Sequence, residues 1–71
     1  MYLDESKHID FQVPKTLQNV IKEIDETFYK NDDLSFALQL DDVESVTKQC
    51  YINGSITANQ LNLIFERYGL R

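Results

Sequence analysis

Two pairs of adjacent aspartates, Asp32–Asp33 and Asp41–Asp42, are the residues of this chain best suited by type to acid–base chemistry. Two carboxylates can act as general acid and general base when they converge on one substrate. Neighbouring residues on a helix point about 100° apart, so neither pair converges in that way. Both pairs are instead placed to cap helices, because an aspartate side chain accepts hydrogen bonds from the first backbone amides of a helix. We therefore assign no catalytic role to them.

The other residues that could do chemistry are isolated. His8 is the only histidine and Cys50 the only cysteine, so the chain offers neither an internal disulfide nor a four-ligand zinc set. The serines at positions 35, 45 and 55 lie far along the sequence from the one histidine that could activate them. No glycine-rich phosphate loop is present. We predict a protein that is not an enzyme and that binds no cofactor and no metal.

The segment Asn53-Gly54-Ser55-Ile56-Thr57, followed by Gln60-Leu61, resembles the second half of an EF-hand. It keeps the glycine of the calcium loop's sharp turn and the isoleucine two positions later. The resemblance places the ion ligands at Gln49, Tyr51, Asn53 and Gln60. The first and last of these should be acidic, and both are glutamine here. The resemblance therefore implies the turn without the calcium site.

These residues must be positioned by helices, and the last helix has the fullest start and stop signals. Thr57 can serve as N-cap, with Gln60 completing a capping box, and Gly69 suits the left-handed position that ends a helix. The signals predict a helix over about 58–68. Its inward residues are expected to be Leu61, Ile64, Phe65 and Tyr68.

An amphipathic pattern predicts the first helix over about 14–30. Apolar residues repeat there at three- and four-residue spacing, and Pro14 suits the first helical turn. The apolar stripe comprises Leu17, Val20, Ile21, Ile24 and Phe28.

The middle of the chain carries two competing signals. A single apolar stripe runs through Phe36, Leu40, Val43, Thr47 and Cys50, which favours one helix. Asp41 and Glu44, however, form a second capping box. Helices over 33–40 and 42–52, bent at Asp41, satisfy both signals. Residues 34–40 also alternate like a strand, which remains the alternative.

The first 13 residues are predicted to form an extended arm. Ile9 to Val13 alternate apolar and polar, and Pro14 favours extended backbone at the residue before it. A lone strand must either lie on the helices or pair with another chain. Residues 1–8 are expected to be loose, apart from Tyr2 and Leu3. The fold prediction is all-α: one compact domain of three to four helices with an extended N-terminal arm.

Size and charge restrict the function. The 71 residues carry 12 acidic and 7 basic side chains, a net charge of −5, which disfavours nucleic acid and anionic membranes as partners. No apolar run reaches the roughly 20 residues of a membrane span, and no signal peptide is visible. We expect a cytoplasmic protein.

One constellation points to a partner. On a helix over 33–40, Leu34, Ala37 and Leu38 face away from the inward stripe, and a surface helix needs only one apolar face. The N-terminal arm, a second copy in a homodimer, or another protein must cover them. With Asp41 and Asp42 they form the predicted partner-binding site.

We predict a small protein–protein interaction module of the inhibitor, antitoxin, immunity or adaptor type, with a basic partner or itself as partner. The alternative is a helix-turn-helix-like regulator that binds nucleic acid through helix 58–68. Its support is the amides of Asn59, Gln60 and Asn62, which are of a type that reads adenine edges.

Overall fold

A computed structural model describes all 71 residues and contains three helices and no strand. The helices are α1 (Lys15–Tyr29), α2 (Asp33–Ile52) and α3 (Ala58–Arg67). The all-α fold class is confirmed, with three helices rather than four. α1 and α3 begin and end within one residue of the predicted boundaries.

All three helices end in a Schellman motif, in which the residue after the C-cap is left-handed. These residues are Asn31, Gly54 and Gly69, with φ of 59°, 76° and 70°. At the end of α3, the Leu70 amide returns to the Phe65 carbonyl at 2.8 Å. The start of α3 is the predicted capping box, since Thr57 and Gln60 bond each other's backbone amides at 3.2 and 2.9 Å. Short-range interactions thus set the helix boundaries.

The predicted break at Asp41 and the strand alternative for 34–40 were both wrong, because α2 runs unbroken for 20 residues. Glu44 forms an ion pair with Lys48 at 3.1 Å instead of completing a cap with Asp41. The reason is energetic. A cap contributes about 1 kcal/mol, whereas each large apolar side chain buried along the helix contributes about 1.5–3 kcal/mol. A continuous helix keeps all the inward side chains on one line: Phe36, Val43, Thr47 and Cys50, with Leu40 half-buried.

The core forms where α2 packs against both α1 and α3. Its centre consists of almost wholly buried side chains from all three helices, from the α2–α3 connection, from the C-cap of α3 and from the arm. The buried apolar residues are Val13, Leu17, Ile24, Phe36, Val43, Cys50, Ile56, Leu61, Ile64, Phe65 and Tyr68.

The N-terminal arm lies on the helices, and its first eight residues are more firmly held than predicted. The Asp4 amide donates to the Arg67 carbonyl at 2.7 Å, and the Arg67 guanidinium donates to the Lys7 carbonyl at 2.7 Å. Lys7 also pairs with Glu66 at 3.3 Å. The expectation of a loose segment at 1–8 was wrong, because the end of α3 offers both a carbonyl and a guanidinium to the arm.

Candidate partner-binding surface

The five residues of the predicted partner site lie together on the solvent side of α2. Leu34, Ala37, Leu38, Asp41 and Asp42 are all exposed, and we call this set the α2 outer face. Leu34 is 75% exposed and Leu38 is 64% exposed. The two side chains lie side by side, because a helix makes neighbours of residues four positions apart. The two leucines therefore form an apolar patch that nothing in the chain covers.

The arm was one candidate to cover this face, and it lies elsewhere. Its apolar residues Ile9, Phe11 and Val13 pack against the core. Met1 and Tyr2 line a groove of about 380 Å³ whose other walls are Asp33, Phe36, Ala37, Leu40, Tyr68 and Gly69. The arm thus borders the α2 outer face at Ala37 and leaves both leucines open.

The carboxylates around the two leucines have no cationic partner. Asp32, Asp33, Asp41 and Asp42 are exposed, and none of them takes part in an ion pair. The three ion pairs of the molecule lie elsewhere: Lys7–Glu66, Lys48–Glu44 and Arg67–Asp25. This end of α2 therefore presents an apolar patch beside carboxylates that form no ion pair.

Asp32 differs from the other three aspartates because it has a local structural role. It is the N-cap of α2 and accepts a hydrogen bond from the Ser35 amide at 3.1 Å. Hydrogen bonds from Ser35 lower the pKa of the Asp32 carboxyl, so this side chain remains charged at neutral pH. The prediction that an aspartate caps this helix is confirmed. No hydrogen bond engages the Asp41 or Asp42 carboxylate.

A second exposed apolar site lies at the other end of α2 and was not predicted from the sequence. Ile52 is 74% exposed and Tyr51 47% exposed. Ile52 follows Leu34 by about five helical turns, so both side chains lie on the same side of α2. A count at 3.6 residues per turn along an unbroken helix would have found it, but the predicted break at Asp41 hid this relation.

A polar cluster between α1 and the end of α3 was also missed. The Tyr68 hydroxyl donates to one Asp25 oxygen at 2.7 Å, and the Arg67 guanidinium donates to the other at 3.1 Å. Burial and the bond to Asp25 raise the pKa of Tyr68 far above its usual range, so the phenol stays protonated. An inward tyrosine needs a partner for its hydroxyl, and that need was the available signal. Every group of the cluster is paired, so it holds the fold together.

The residues first considered for chemistry are not brought together. Burial raises the pKa of the Cys50 thiol, which disfavours the reactive thiolate. His8 is exposed on the arm, and no three His, Cys, Asp or Glu side chains are grouped as metal ligands would be. At the EF-hand-like turn, the Gln60 side-chain oxygen accepts the Thr57 amide and so acts as a cap.

No helix is both long and apolar enough to span a membrane. In comparisons with known proteins, no family model, curated protein or solved structure matches the chain.

Proposed function

We propose that this protein is a small acidic binding protein that attaches to another protein through the α2 outer face. One observation carries the proposal: Leu34 and Leu38 are exposed side by side, among aspartates that have no ion-pair partner. Apolar side chains in that setting contribute nothing to folding in the isolated chain. A partner that buries them gains about 1.5–3 kcal/mol for each leucine. The molecule then acts by occupying its partner's surface, as an inhibitor, antitoxin, immunity protein or adaptor does.

The charge of the face indicates the chemistry of the partner. Asp33, Asp41 and Asp42 border the leucines and are free to meet cations. A complementary surface has an apolar groove for the two leucines and lysine or arginine side chains around it. Such charge complementarity steers association and excludes acidic competitors. We therefore favour a partner with a basic surface.

A second copy of the chain is a less favourable partner for this face. In a twofold dimer the same patch lies on both sides of the interface. Leu34 and Leu38 of the two copies could meet, but Asp41 and Asp42 would then face a surface with the same charges. Like charges brought together across an interface cost several kcal/mol.

Nucleic-acid binding through α3 has less support. The Gln60 side-chain oxygen is used in the capping box, and the Asn62 side-chain oxygen accepts a hydrogen bond from Arg71. Arg67, at the end of α3, is already paired with Asp25. Base readers need phosphate contacts beside them to hold them in place, and α3 has few cations to supply these.

The test is to capture the partner from the native cell lysate with the tagged protein and then to measure the purified complex. Leu38→Asp should weaken binding at least tenfold, because it places a charge in the apolar contact. Its midpoint of thermal unfolding should stay close to that of the wild type, since Leu38 is exposed. Affinity should also fall as salt rises, since charge pairs form between the α2 outer face and a basic partner.

Ile52→Asp is the matched control, because Ile52 is an aliphatic residue on the same side of the same helix and is 74% exposed, against 64% for Leu38. It should keep wild-type affinity if the contact is confined to the first half of α2. Equal affinities for wild type and Leu38→Asp would contradict the proposal. Tight, salt-sensitive binding to duplex DNA would favour the nucleic-acid alternative instead.

A further inference from the structure

The start of the arm and the first half of α2 enclose the groove of about 380 Å³ described above, which we call the arm–α2 groove. Phe36 and Tyr68, both almost wholly buried, lie at its base. Tyr2 is exposed and lies on its wall beside Gly69. A Cβ atom at Gly69 would lie 3.0 Å from the Tyr2 ring, so this ring packs closely on the Gly69 backbone. The groove therefore has aromatic side chains at its base and on its wall.

One carboxylate lines the arm–α2 groove, and it has no partner within the chain. Asp33 forms no ion pair, and no side chain or backbone amide donates a hydrogen bond to its carboxylate. The neighbouring Asp32 accepts the Ser35 amide at 3.1 Å and so meets the partial positive charge at the start of α2. Asp33 is therefore the single charged side chain of a groove with apolar walls, and its charge is free.

A groove of this kind suits a side chain with an apolar stem and a positively charged end. Arginine meets both requirements, because its stem packs on apolar surface while its planar guanidinium stacks on aromatic rings and pairs with a carboxylate through two hydrogen bonds. The ammonium of lysine is compact and more strongly hydrated, so it fits such a groove less well. The chain's own guanidinium groups already lie over rings: Arg67 over Tyr68 at 5.5 Å, and Arg71 over Phe65 at 5.6 Å.

We propose that the arm–α2 groove receives one arginine side chain of the partner protein, whose guanidinium pairs with Asp33. This inference rests on the proposed function, because the groove adjoins the α2 outer face at Ala37 and one partner can contact both. It assigns one basic residue of that partner to a defined position beside the two leucines.

A second copy of the chain is a poor source of this arginine. The chain has two arginines, and both are engaged within it. Arg67 pairs with Asp25 at 3.1 Å and donates to the Lys7 carbonyl. Arg71 donates to Asn62 and lies over the Phe65 ring. Either side chain would have to give up these contacts to enter the groove of another copy, so the arginine we infer belongs to a different protein.

The test is a nuclear magnetic resonance titration of the isotope-labelled full-length protein with Nα-acetyl-arginine N-methylamide. The protein carries its tag at the C terminus, so that Met1 and Tyr2 keep their place in the groove. Binding should be weak, since one side chain buries little area, but it should saturate. The amides that shift should be those of the groove, at Tyr2, Ala37 and Gly69.

Two matched comparisons isolate the charge pair. The citrulline counterpart of the probe has the same shape without the charge, and it should bind at least about fivefold more weakly, because a charged hydrogen bond is stronger than a neutral one. Asp33→Asn should weaken binding of the arginine probe by a similar factor. Asp41→Asn is the control variant, since Asp41 is also exposed on α2 and unpaired but does not line the groove. It should bind the probe as the wild type does.

Equal affinities for the arginine and citrulline probes would overturn the inference, because the groove would then accept an uncharged side chain. Equal losses in Asp33→Asn and Asp41→Asn would overturn it as well, since they would indicate diffuse attraction to an acidic surface. Shifts that do not saturate at the groove amides have the same consequence. In each case, loss of partner capture in Leu38→Asp would still support the proposed function. Arginine binding at Asp33 with partner capture unchanged in Leu38→Asp would keep the groove and contradict the proposed function, so the two fail separately.

Discussion

The two sides of α2 carry similar numbers of apolar residues, but the two sides differ in how far those residues are buried. On the inner side, Phe36 and Val43 are almost wholly buried against the neighbouring helices. On the outer side, Leu34 and Leu38 are mostly in water. The inner residues belong to the core, whereas the two outer leucines lie outside it. The difference locates the residues on which the proposed function rests.

Polar groups differ in the same way: those near the core are paired, and those on the outer side of α2 are not. Near the core, Asp25, Arg67 and Tyr68 satisfy one another. On the outer side, Asp41 and Asp42 have no partner. We interpret the unpaired carboxylates of the outer side as the charged part of the proposed binding surface.

The largest expected effect on stability comes from comparing one residue on the inner side of α2 with one on the outer side. Phe36→Ala should lower the free energy of unfolding by about 3–5 kcal/mol, because it removes a buried ring and leaves a cavity. Leu38→Ala should change it by no more than about 0.5 kcal/mol. Urea unfolding followed by circular dichroism measures both. A comparable loss in the two variants would mean that Leu38 is buried in solution, and the contrast would fail.

Tyr68→Phe tests whether the inner polar cluster is needed for stability. Removal of the hydroxyl takes a hydrogen bond from the partly buried Asp25 carboxylate and should cost about 1.5–3 kcal/mol. Tyr29→Phe is the matched control, because the Tyr29 hydroxyl bonds Glu5 at the exposed surface, where water replaces it. Thermal unfolding of both variants gives the answer. Equal effects would mean that burial does not strengthen the Tyr68 bond.

One buried residue on the inner side of α2 has a hydroxyl without a hydrogen-bond partner. Its replacement should change stability less than the two substitutions above, and in the opposite direction. The Thr47 hydroxyl is buried without a hydrogen-bond partner. Thr47→Val should therefore raise the free energy of unfolding by about 1 kcal/mol. Thr27→Val provides the comparison, since the buried Thr27 hydroxyl donates to the Glu23 carbonyl at 3.0 Å. That variant should gain nothing. Stabilisation of both, or of neither, would contradict the contrast between the two threonines.

The smallest effect concerns Asp32, the N-cap of α2. The pKa of Asp32 is lower in the folded chain than its ordinary value near 3.8. A carboxyl whose pKa is lower in the folded chain stabilises the folded state at pH values above its unfolded pKa. This stabilisation is lost as the pH falls through the folded pKa. Asp32→Asn should therefore flatten the fall in stability below about pH 4. Urea unfolding measured across this pH range tests the expectation, and an Asp32→Asn profile identical to that of the wild type would contradict it.

The features that the sequence predicted correctly depend on residues a few positions apart. Thr57 with Gln60 and Gly69 with Leu70 act within one or two helical turns, and the structure confirms them. The local signal at Asp41 and Glu44 was misleading because the inner stripe of α2 spans both sides of it. A cap of about 1 kcal/mol does not break a helix that buries several large side chains on one line.

The features that the sequence did not predict depend on contacts between distant residues. Arg67 meets Asp25 and the Lys7 carbonyl, which lie 42 and 60 positions away. No periodicity or spacing specifies such a pairing, so the position of the arm was open until the helices were packed. The α2 outer face was predictable because its residues are close neighbours on one helix. Whether the N-terminal arm would cover that face could not be predicted from the sequence.

Photo-crosslinking tests the central claim most directly, because it reports which side chain touches the partner in the cell. Leu38→p-benzoylphenylalanine is compared with Tyr29→p-benzoylphenylalanine, since the two native side chains are equally exposed at 64% and lie on different helices. We expect position 38 to give one discrete crosslinked protein and position 29 to give none. Crosslinks of equal yield to the same protein at both positions, or at position 29 alone, would contradict the assignment of the α2 outer face as the binding surface.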